Sequence, residues 1–370
     1  ISKLNDRVYV YGFLPDTKLD NVDSERIYNS FGRKILQGKI HTKKFLQENV
    51  NIPTKNFCIL PWLHMTSSVA GWYRVCCDSN KNIRGDNTKN LKDVANKDAL
   101  HANIATIKDA FYSSEMDDIR KQFLNNEKPE ICSTCWKRED MGIASMRIAM
   151  NGRFADNINL LNSKEPKLKY LDIKYDNKCN LACRMCSAGS SDQHQKELFI
   201  QVNDGKRIPN HFDYGLYENN SNYKEQLSRR LSHTIEKPFL EQDVISAIPE
   251  LEVLKVTGGE PTVNHKFLNA VDYAIKNDYA KNIVLDLTTN GTKFNTDLLE
   301  KISHFKFCRF RISIDGTDKI YDYIRYPFNW DMLNKSVNLM FSHFKERGYL
   351  QNKVSVGFSI VAQPYNIFNL

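Results

Sequence analysis

From about Lys167 to the end of the 370-residue chain, short apolar runs alternate with amphipathic stretches, and this alternation constrains the fold more than any other feature. The runs LKYLDIKY, LEVLKVT, NIVLDLTT, FCRFRISI and KVSVGFSIVA are rich in β-branched and aromatic residues. Between them, AVDYAIKN, TDLLEKIS and MLNKSVNLMFSHF repeat their apolar positions at a helical period. Strand, helix, strand in this order predicts an α/β fold with parallel strands and crossover helices. Between the first and second strands, at about 187–240, lies a polar stretch too long for an ordinary connection, read as an insertion and a candidate lid. Its histidines, His194, His211 and His233, are expected to be solvated. The sequence stops just after the fifth strand, at PYNIFNL, so the expectation is a barrel truncated after that strand, with its edge open.

The upstream texture differs. Residues 1–50 are polar with scattered aromatics and suggest no role. Residues 51–150 read as a small α+β unit punctuated by cysteines. FCILPWLHM opens it and a strand pair is expected around GWYRVCCDS. Met116, Ile119 and Phe123 then recur at helical spacing near Ser114–Asn125, with Ser113 or Ser114 as N-cap. The Asn- and Lys-rich segment 151–166 reads as a linker to the C-terminal unit, 167–370.

Composition excludes several classes. With 41% apolar and 26% charged residues the chain is neither mostly disordered nor fibrous. No apolar run approaches the roughly 18 residues of a membrane span. The opening ISKLNDRVYV lacks the order of a secretory signal, so a cytoplasmic location is expected. The net charge of +8 is spread without a block of like charges, which favours a solvated basic surface over a dedicated nucleic-acid face.

Nine cysteines narrow the chemistry. Cys58, Cys76, Cys77, Cys132 and Cys135 lie early, Cys179, Cys183 and Cys186 sit together, and Cys308 stands alone in an apolar strand as a small core residue. Tight cysteine spacing in a long chain points to metal or cluster ligation rather than a disulfide framework. Cys179-Asn-Leu-Ala-Cys183-Arg-Met-Cys186 directly follows the first strand. Three thiolates this close suit three irons of a [4Fe–4S] cluster with one iron left open, whereas zinc would want a fourth ligand from a distance. Gly258-Gly259-Glu260 follows the second strand; glycines allow close backbone approach to a ligand and a carboxylate can pair an ammonium. Asn290 follows the third strand, Ser313 and Asp315 end the fourth, and Gln363 with Asn366 lies past the fifth. All are at carboxyl ends of strands, where barrel enzymes keep their sites.

At these residues the chain resembles the radical S-adenosylmethionine (radical SAM) enzymes over about 167–370. The resemblance implies a (β/α)6 partial TIM-type barrel, a SAM-binding [4Fe–4S] cluster on Cys179, Cys183 and Cys186, and SAM itself as cofactor. It implies SAM contacts from Gly258, Gly259, Glu260, Asn290, Ser313, Asp315, Arg325 and Gln363. Glu260 would meet the SAM ammonium, and Ser313 and Arg325 its ribose and carboxylate. Met185 stands where the family often has an aromatic, and its apolar side chain can still pack on adenine. The reaction implied is reductive cleavage of SAM to methionine and a 5′-deoxyadenosyl radical that abstracts a hydrogen atom from substrate. An electron donor such as flavodoxin or ferredoxin is implied, and no substrate-transforming residue is singled out.

The early cysteines resemble a Twitch or SPASM-type auxiliary cluster module, here ahead of the barrel. The expectation is a second [4Fe–4S] cluster on Cys58, Cys76 or Cys77, Cys132 and Cys135, with a structural zinc as the plainer reading of the same residues. Neighbours on a strand face opposite ways, so only one of Cys76 and Cys77 is expected to ligate. Family members with auxiliary clusters often modify peptides or proteins, and others act on small molecules or RNA. The alternative from another class is a zinc-binding, non-catalytic interaction or nucleic-acid-binding protein.

Overall fold

The computed structural model describes residues 9–11, 52–69, 71–83, 100–102, 105–159, 165–203, 240–350 and 352–368. Eight strands form one sheet. They are β1 (Tyr9–Tyr11), β2 (His64–Ser67), β3 (Tyr73–Arg74), β4 (Tyr170–Ile173), β5 (Val253–Val256), β6 (Val284–Thr289), β7 (Phe307–Ser313) and β8 (Val354–Ser359). Their order is β1-β8-β7-β6-β5-β4-β2-β3, and every neighbouring pair is parallel except β2 with β3. The five expected strands are therefore β4 to β8, in sequence order across the sheet.

Each strand from β4 to β8 is followed or preceded by a helix, as the alternating pattern predicts. Burial along β7 alternates strictly, with Cys308, Phe310 and Ile312 turned into the core. The helices His265–Lys276, Thr296–Ser303 and Trp330–Glu346 each bury one stripe, such as Leu333, Val337, Met340 and Phe344 on the last. Asn264, Asn295 and Asn329 cap them by accepting from a first-turn N–H. Cys308 is 1% exposed, as expected of a core residue. The opposite face of the sheet is polar. Register places Thr66, Asp172, Lys255, Asp286, Arg309 and Ser355 in a single row across it.

Three expectations need correction. The edge of the fifth strand is not open, because β1 pairs with it in parallel, Val10 opposite Phe358. The cysteine-rich segment does not build a separate sheet. Its β2 extends the main sheet beside β4, and residues from Phe57 to Phe358 belong to one apolar core. The segment read as a linker is helical through Met146–Arg153 and Ala155–Asn159, since Ser145 caps a helix that buries Ile148 and Met150. The helix near Ser114 runs Ser114–Leu124, with Ser113 Oγ accepting from Met116 N at 3.3 Å. Of the 187–240 insertion, Asp192–Asn203 is a helix; the remainder from 204 to 239, with His211 and His233, and most of 1–50 lie outside the described residues.

Candidate active site

The cysteine triad sits on the loop that leaves β4. Cys179 N donates to Asp192 Oδ1 at 2.8 Å, and Cys186 N donates to Cys183 O at 2.9 Å. Ala182 N and Arg184 N donate to the carbonyls of Tyr326 and Ile324, at 2.8 and 2.9 Å, which ties the loop to the end of the Asp318–Ile324 helix. Cys183 is buried, and Cys179 and Cys186 are half-buried. Cys183 and Cys186 share a hydrogen bond that draws the Cys186 thiol down to about 6, helped by Arg325 and His194. The same bond and burial push Cys183 up, and burial raises Cys179 to about 11. Arg325 lowers both Cys183 and Cys186, the direction that favours the thiolate a cation needs.

His194 corrects the expectation that it is solvated. Its Nε2 lies 2.9 Å from Cys183 O, and its side chain is only 12% exposed. The helix Asp192–Asn203 folds back against the triad, which brings in both Asp192 and His194. The sequence signal was their place eight residues or fewer after Cys186.

The glycine motif packs against the triad loop. Gly258 and Gly259 have φ of +77° and +52°, but what crowds them is protein. A Cβ on Gly259 would lie 2.3 Å from Lys178 O, and one on Gly258 2.8 Å from Lys174 Cβ. These glycines let the loop after β5 pass close against the triad loop. Glu260 is 1% exposed. Its Oε1 accepts from Thr262 N (3.0 Å), Thr262 Oγ1 (2.7 Å) and Thr289 Oγ1 (2.6 Å), and its Oε2 from Asn290 N (2.6 Å). An ionised carboxylate has about four lone-pair sites. Oε1 is crowded by three donors, whereas Oε2 accepts from one among the described residues and keeps a site for a further donor such as an ammonium. Burial raises the Glu260 pKa, against the pull of its hydrogen bonds.

Asn290 also joins this inner brace. Its Nδ2 donates to Asn180 Oδ1 at 3.0 Å, and Asn180 Nδ2 donates to Thr292 Oγ1 at 2.8 Å, linking the loop after β6 to the triad loop. Asp315 is fully buried with φ of +51°. It accepts from Arg325 Nη2 and, at 2.7 Å, from Val361 N. Arg325, 8% exposed, bears directly on Cys183 and Cys186, while its Nε has no partner among the described residues. Gln363 Nε2 is likewise buried without a partner, and Asn366 holds that loop by donating to Asp315 O at 2.7 Å. Ser313 ends β7 half-buried, and Met185 is half-buried within the triad loop.

The early cysteines divide. Cys58, Cys76, Cys132 and Cys135 are all buried and line one pocket with Leu60, Val75 and Phe123. Burial raises all four thiols. Cys77 is the exposed one of the five; burial of its thiol still raises it most, and the charges it feels next are Lys255 and Asp172 on the polar face of the sheet. Cys76 and Cys77 occupy a turn after β3, not the strand expected there, with Ser79 N donating to Cys76 O. The turn still parts the two thiols. Sequence reading missed Arg147, which lines the same pocket, pairs with Glu139 at 2.5 Å and donates to Phe57 O at 2.8 Å. Its charge lowers Cys58 and Cys132 against the stronger effect of burial. Among the described residues, no three His, Cys, Asp or Glu side chains converge as a single metal ion would require.

Residues 173–348, from the end of β4 to just past the helix before β8, match the family model of the Radical SAM superfamily. The match to a radical SAM domain covers just under half of the chain. Among curated proteins, it is 27% identical over 118 residues to "Mycofactocin maturase MftC" of Mycolicibacterium smegmatis, covering 31% of this chain and 28% of that protein. It is 29% identical over 152 residues to "Uncharacterized protein MJ0907" of Methanocaldococcus jannaschii, covering 41% of this chain and 40% of that one. The chain thus spans well under half the length of these relatives. Among solved structures, Streptococcus suis SuiB bound to precursor peptide SuiA matches with a TM-score of 0.30 and 15% identity, over 64% of this chain and 48% of that one. Native anSMEcpe with bound AdoMet and Cp18Cys peptide matches with a TM-score of 0.27 and 16% identity, over 51% and 50%.

Proposed function

We propose that this radical SAM domain holds a [4Fe–4S] cluster on Cys179, Cys183 and Cys186, binds SAM at the open iron, and modifies a peptide or protein. The observation that carries the reading is the triad itself, three thiols on one partly buried loop directly after β4 with the buried Arg325 charge beside them. Three thiols on one short loop suit three irons of a cluster. The donor set fits SAM as well, because Arg325 Nε and Gln363 Nε2 are buried donors awaiting an acceptor such as a carboxylate or ribose hydroxyl. Cys179, Cys183 and Cys186 would hold the cluster, which, with an electron donor of the flavodoxin or ferredoxin kind, would supply the chemistry of reductive SAM cleavage and hydrogen-atom abstraction.

The chain's own residues have three tasks in this reading. Arg325, held by Asp315, keeps positive charge beside thiolates that would otherwise repel. Ser313 and Met185 face the ribose and adenine of SAM. Glu260, Asn290 and Thr289 hold the strand-end loops in register, and the second site of Glu260 Oε2 is left to meet the SAM ammonium. β1 extends the sheet beyond β8, and this wider wall would help keep solvent from the reacting centre.

Cys58, Cys76, Cys132 and Cys135 are proposed to hold a second [4Fe–4S] cluster, in the manner of a Twitch module, with Cys77 outside the ligand set. Four thiolates leave no iron open, so this cluster serves structure or electron relay. A peptide substrate is favoured because auxiliary clusters accompany peptide-modifying members and because a relative is named a maturase. Iron, sulfide and zinc analysis of anaerobically purified protein tests both assignments. About eight irons are expected. Replacing Cys179, Cys183 and Cys186 together should remove half the iron and all SAM cleavage; replacing Cys132 and Cys135 should remove the other half. Loss of one zinc in the second variant, with iron unchanged, would put a structural zinc there. Full iron in the first variant would end the triad assignment.

A further inference from the structure

Arg147 brings a fixed positive charge to the four-cysteine pocket. The residue is 2% exposed. Its Nε and Nη2 donate to the two oxygens of Glu139 at 2.9 and 2.5 Å, and its Nη1 donates to the carbonyls of Phe57 and Lys55 at 2.8 and 3.2 Å. Phe57 immediately precedes Cys58, and Glu139 lies on the helix Ser133–Asp140 that carries Cys135. The guanidinium carbon sits 5.1 Å from the ring centre of Trp136, the residue after Cys135. One cation is thus tied to the chain beside two of the cysteines, and it lines the pocket together with Cys58, Cys76, Cys132 and Cys135.

Charge matters in this pocket because the thiols crowd one another out of water. Cys132 and Cys135 raise Cys58, and Cys58 and Cys135 raise Cys76. Arg147 acts the opposite way on Cys58 and Cys132, and its backbone N–H does so on Cys135. The backbone N–H groups of Leu60 and Asp78 do the same at Cys58 and Cys76. Glu139 offsets part of this at Cys135, where its charge raises the thiol. Net charge and hydrogen bonds to the sulfurs are among the features that set the potential of an iron–sulfur cluster.

We infer that, given the auxiliary-cluster reading, Arg147 tunes the reduction potential of that cluster, holding it above the value four buried thiolates alone would give, while Glu139 trims the effect. Reduction by a low-potential one-electron donor places one further electron, and with no proton taken up one further negative charge, in the pocket. A fixed cation lowers the energy of that state more than that of the oxidised one. One unit charge acting over roughly 10 Å at an effective dielectric of about 20 shifts such an equilibrium about tenfold. An arginine that only clamped the two segments together would leave the potential where it is.

The full-length chain with Cys179, Cys183 and Cys186 replaced by alanine keeps the auxiliary site alone and serves as the parent. It is purified anaerobically, assayed for iron and zinc, and titrated with dithionite and mediator dyes while electron paramagnetic resonance follows the reduced cluster. About four irons per chain are expected. Arg147→Met should lower the ratio of reduced to oxidised cluster at a fixed potential about tenfold, which is about 59 mV for one electron. Arg147→Lys keeps the charge and should stay within about threefold of the parent, whereas Glu139→Gln should raise the ratio about threefold or more. The opposite signs separate charge from damage, because a loosened pocket would move the variants the same way. If Arg147→Met does not hold iron, Glu139→Gln decides: a raised ratio supports the inference, and an unchanged or lowered one overturns it. Equal ratios in all variants, or an equal fall in Arg147→Lys and Arg147→Met, would overturn it while leaving the cluster in place. Zinc, or neither metal, in the parent would end the auxiliary-cluster reading itself, and the inference with it.

Discussion

Replacing Glu260 separates a bracing role from a ligand-binding one. In Glu260→Ala the Thr262 and Thr289 hydroxyls can rotate to other acceptors, but the N–H groups of Thr262 and Asn290 cannot. A buried donor left unmatched costs about 1–3 kcal/mol, so the two together cost about 2–6 kcal/mol. Glu260→Gln keeps the shape but turns an NH₂ toward one of these donors, a loss of about 1–3 kcal/mol. Urea denaturation of anaerobic protein should therefore rank wild type, Gln and Ala in falling order. A pH dependence follows from the raised pKa. The folded state holds the Glu260 proton more tightly than the unfolded state, so this group's contribution is fully present below its ordinary 4.5 and is lost as pH rises through the folded value. Glu260→Gln should flatten that part of the profile. If Glu260→Ala keeps the wild-type urea midpoint while SAM affinity collapses, the carboxylate faces the ligand and the bracing argument is wrong.

His64, 2% exposed, is held down at about 4 by burial, so the unfolded chain binds its proton more tightly and stability should fall by about 2 kcal/mol between pH 7 and 5, a fall that His64→Gln removes. Midpoints at the two pH values check this, and an equal fall in the variant would refute it. Arg147→Met leaves Glu139 buried and short of its cation, and should cost about 3–5 kcal/mol in a urea titration; a change under about 1 kcal/mol would show the pair to be dispensable. Cys77→Ser should leave the iron content unchanged and Cys76→Ser should lower it by about half, and the reverse result would exchange their roles.

What could be read in advance was whatever a short window encodes. β4 to β8 and their helices announce themselves by period, and the triad by spacing, because both are local. The braces could not be read this way. Glu260 meets Thr289 and Asn290 across 29 and 30 residues, and Arg325 meets Asp315 only because a turn with positive φ brings the two together. Gly258 and Gly259 were legible as close-approach residues, but the partner of that approach was not, since glycine marks crowding without saying what crowds it. β1 and β2 were the hardest. Each is three or four residues long and is strand only because a parallel neighbour offers it an edge.

That last point makes the cysteine-rich segment part of the sheet's stability, and a fragment spanning 165–368 tests it. β4 would lose β2 and become an edge, and Lys167 N and Lys169 N would lose the carbonyls of Trp62 and Leu63. Tyr170 would lose the His64 and Phe154 rings, at 4.3 and 5.7 Å, and Asp286 would lose Arg153. On the other side of the sheet, Asp243 would lose the N–H of Ile107, and Glu250 would lose Lys108. Trp62, Leu63, Met65, Tyr73 and Phe154 are buried in the shared core, and each contributes about 1.5–3 kcal/mol on burial, roughly 7–15 kcal/mol in all. A folded domain has only about 5–15 kcal/mol to lose. The fragment should therefore show no cooperative thermal or urea transition, whether or not iron is supplied. A sharp transition with native-like circular dichroism would mean that β4 to β8 and their helices form a self-sufficient unit, and that the cysteine-rich segment is an appendage to it after all.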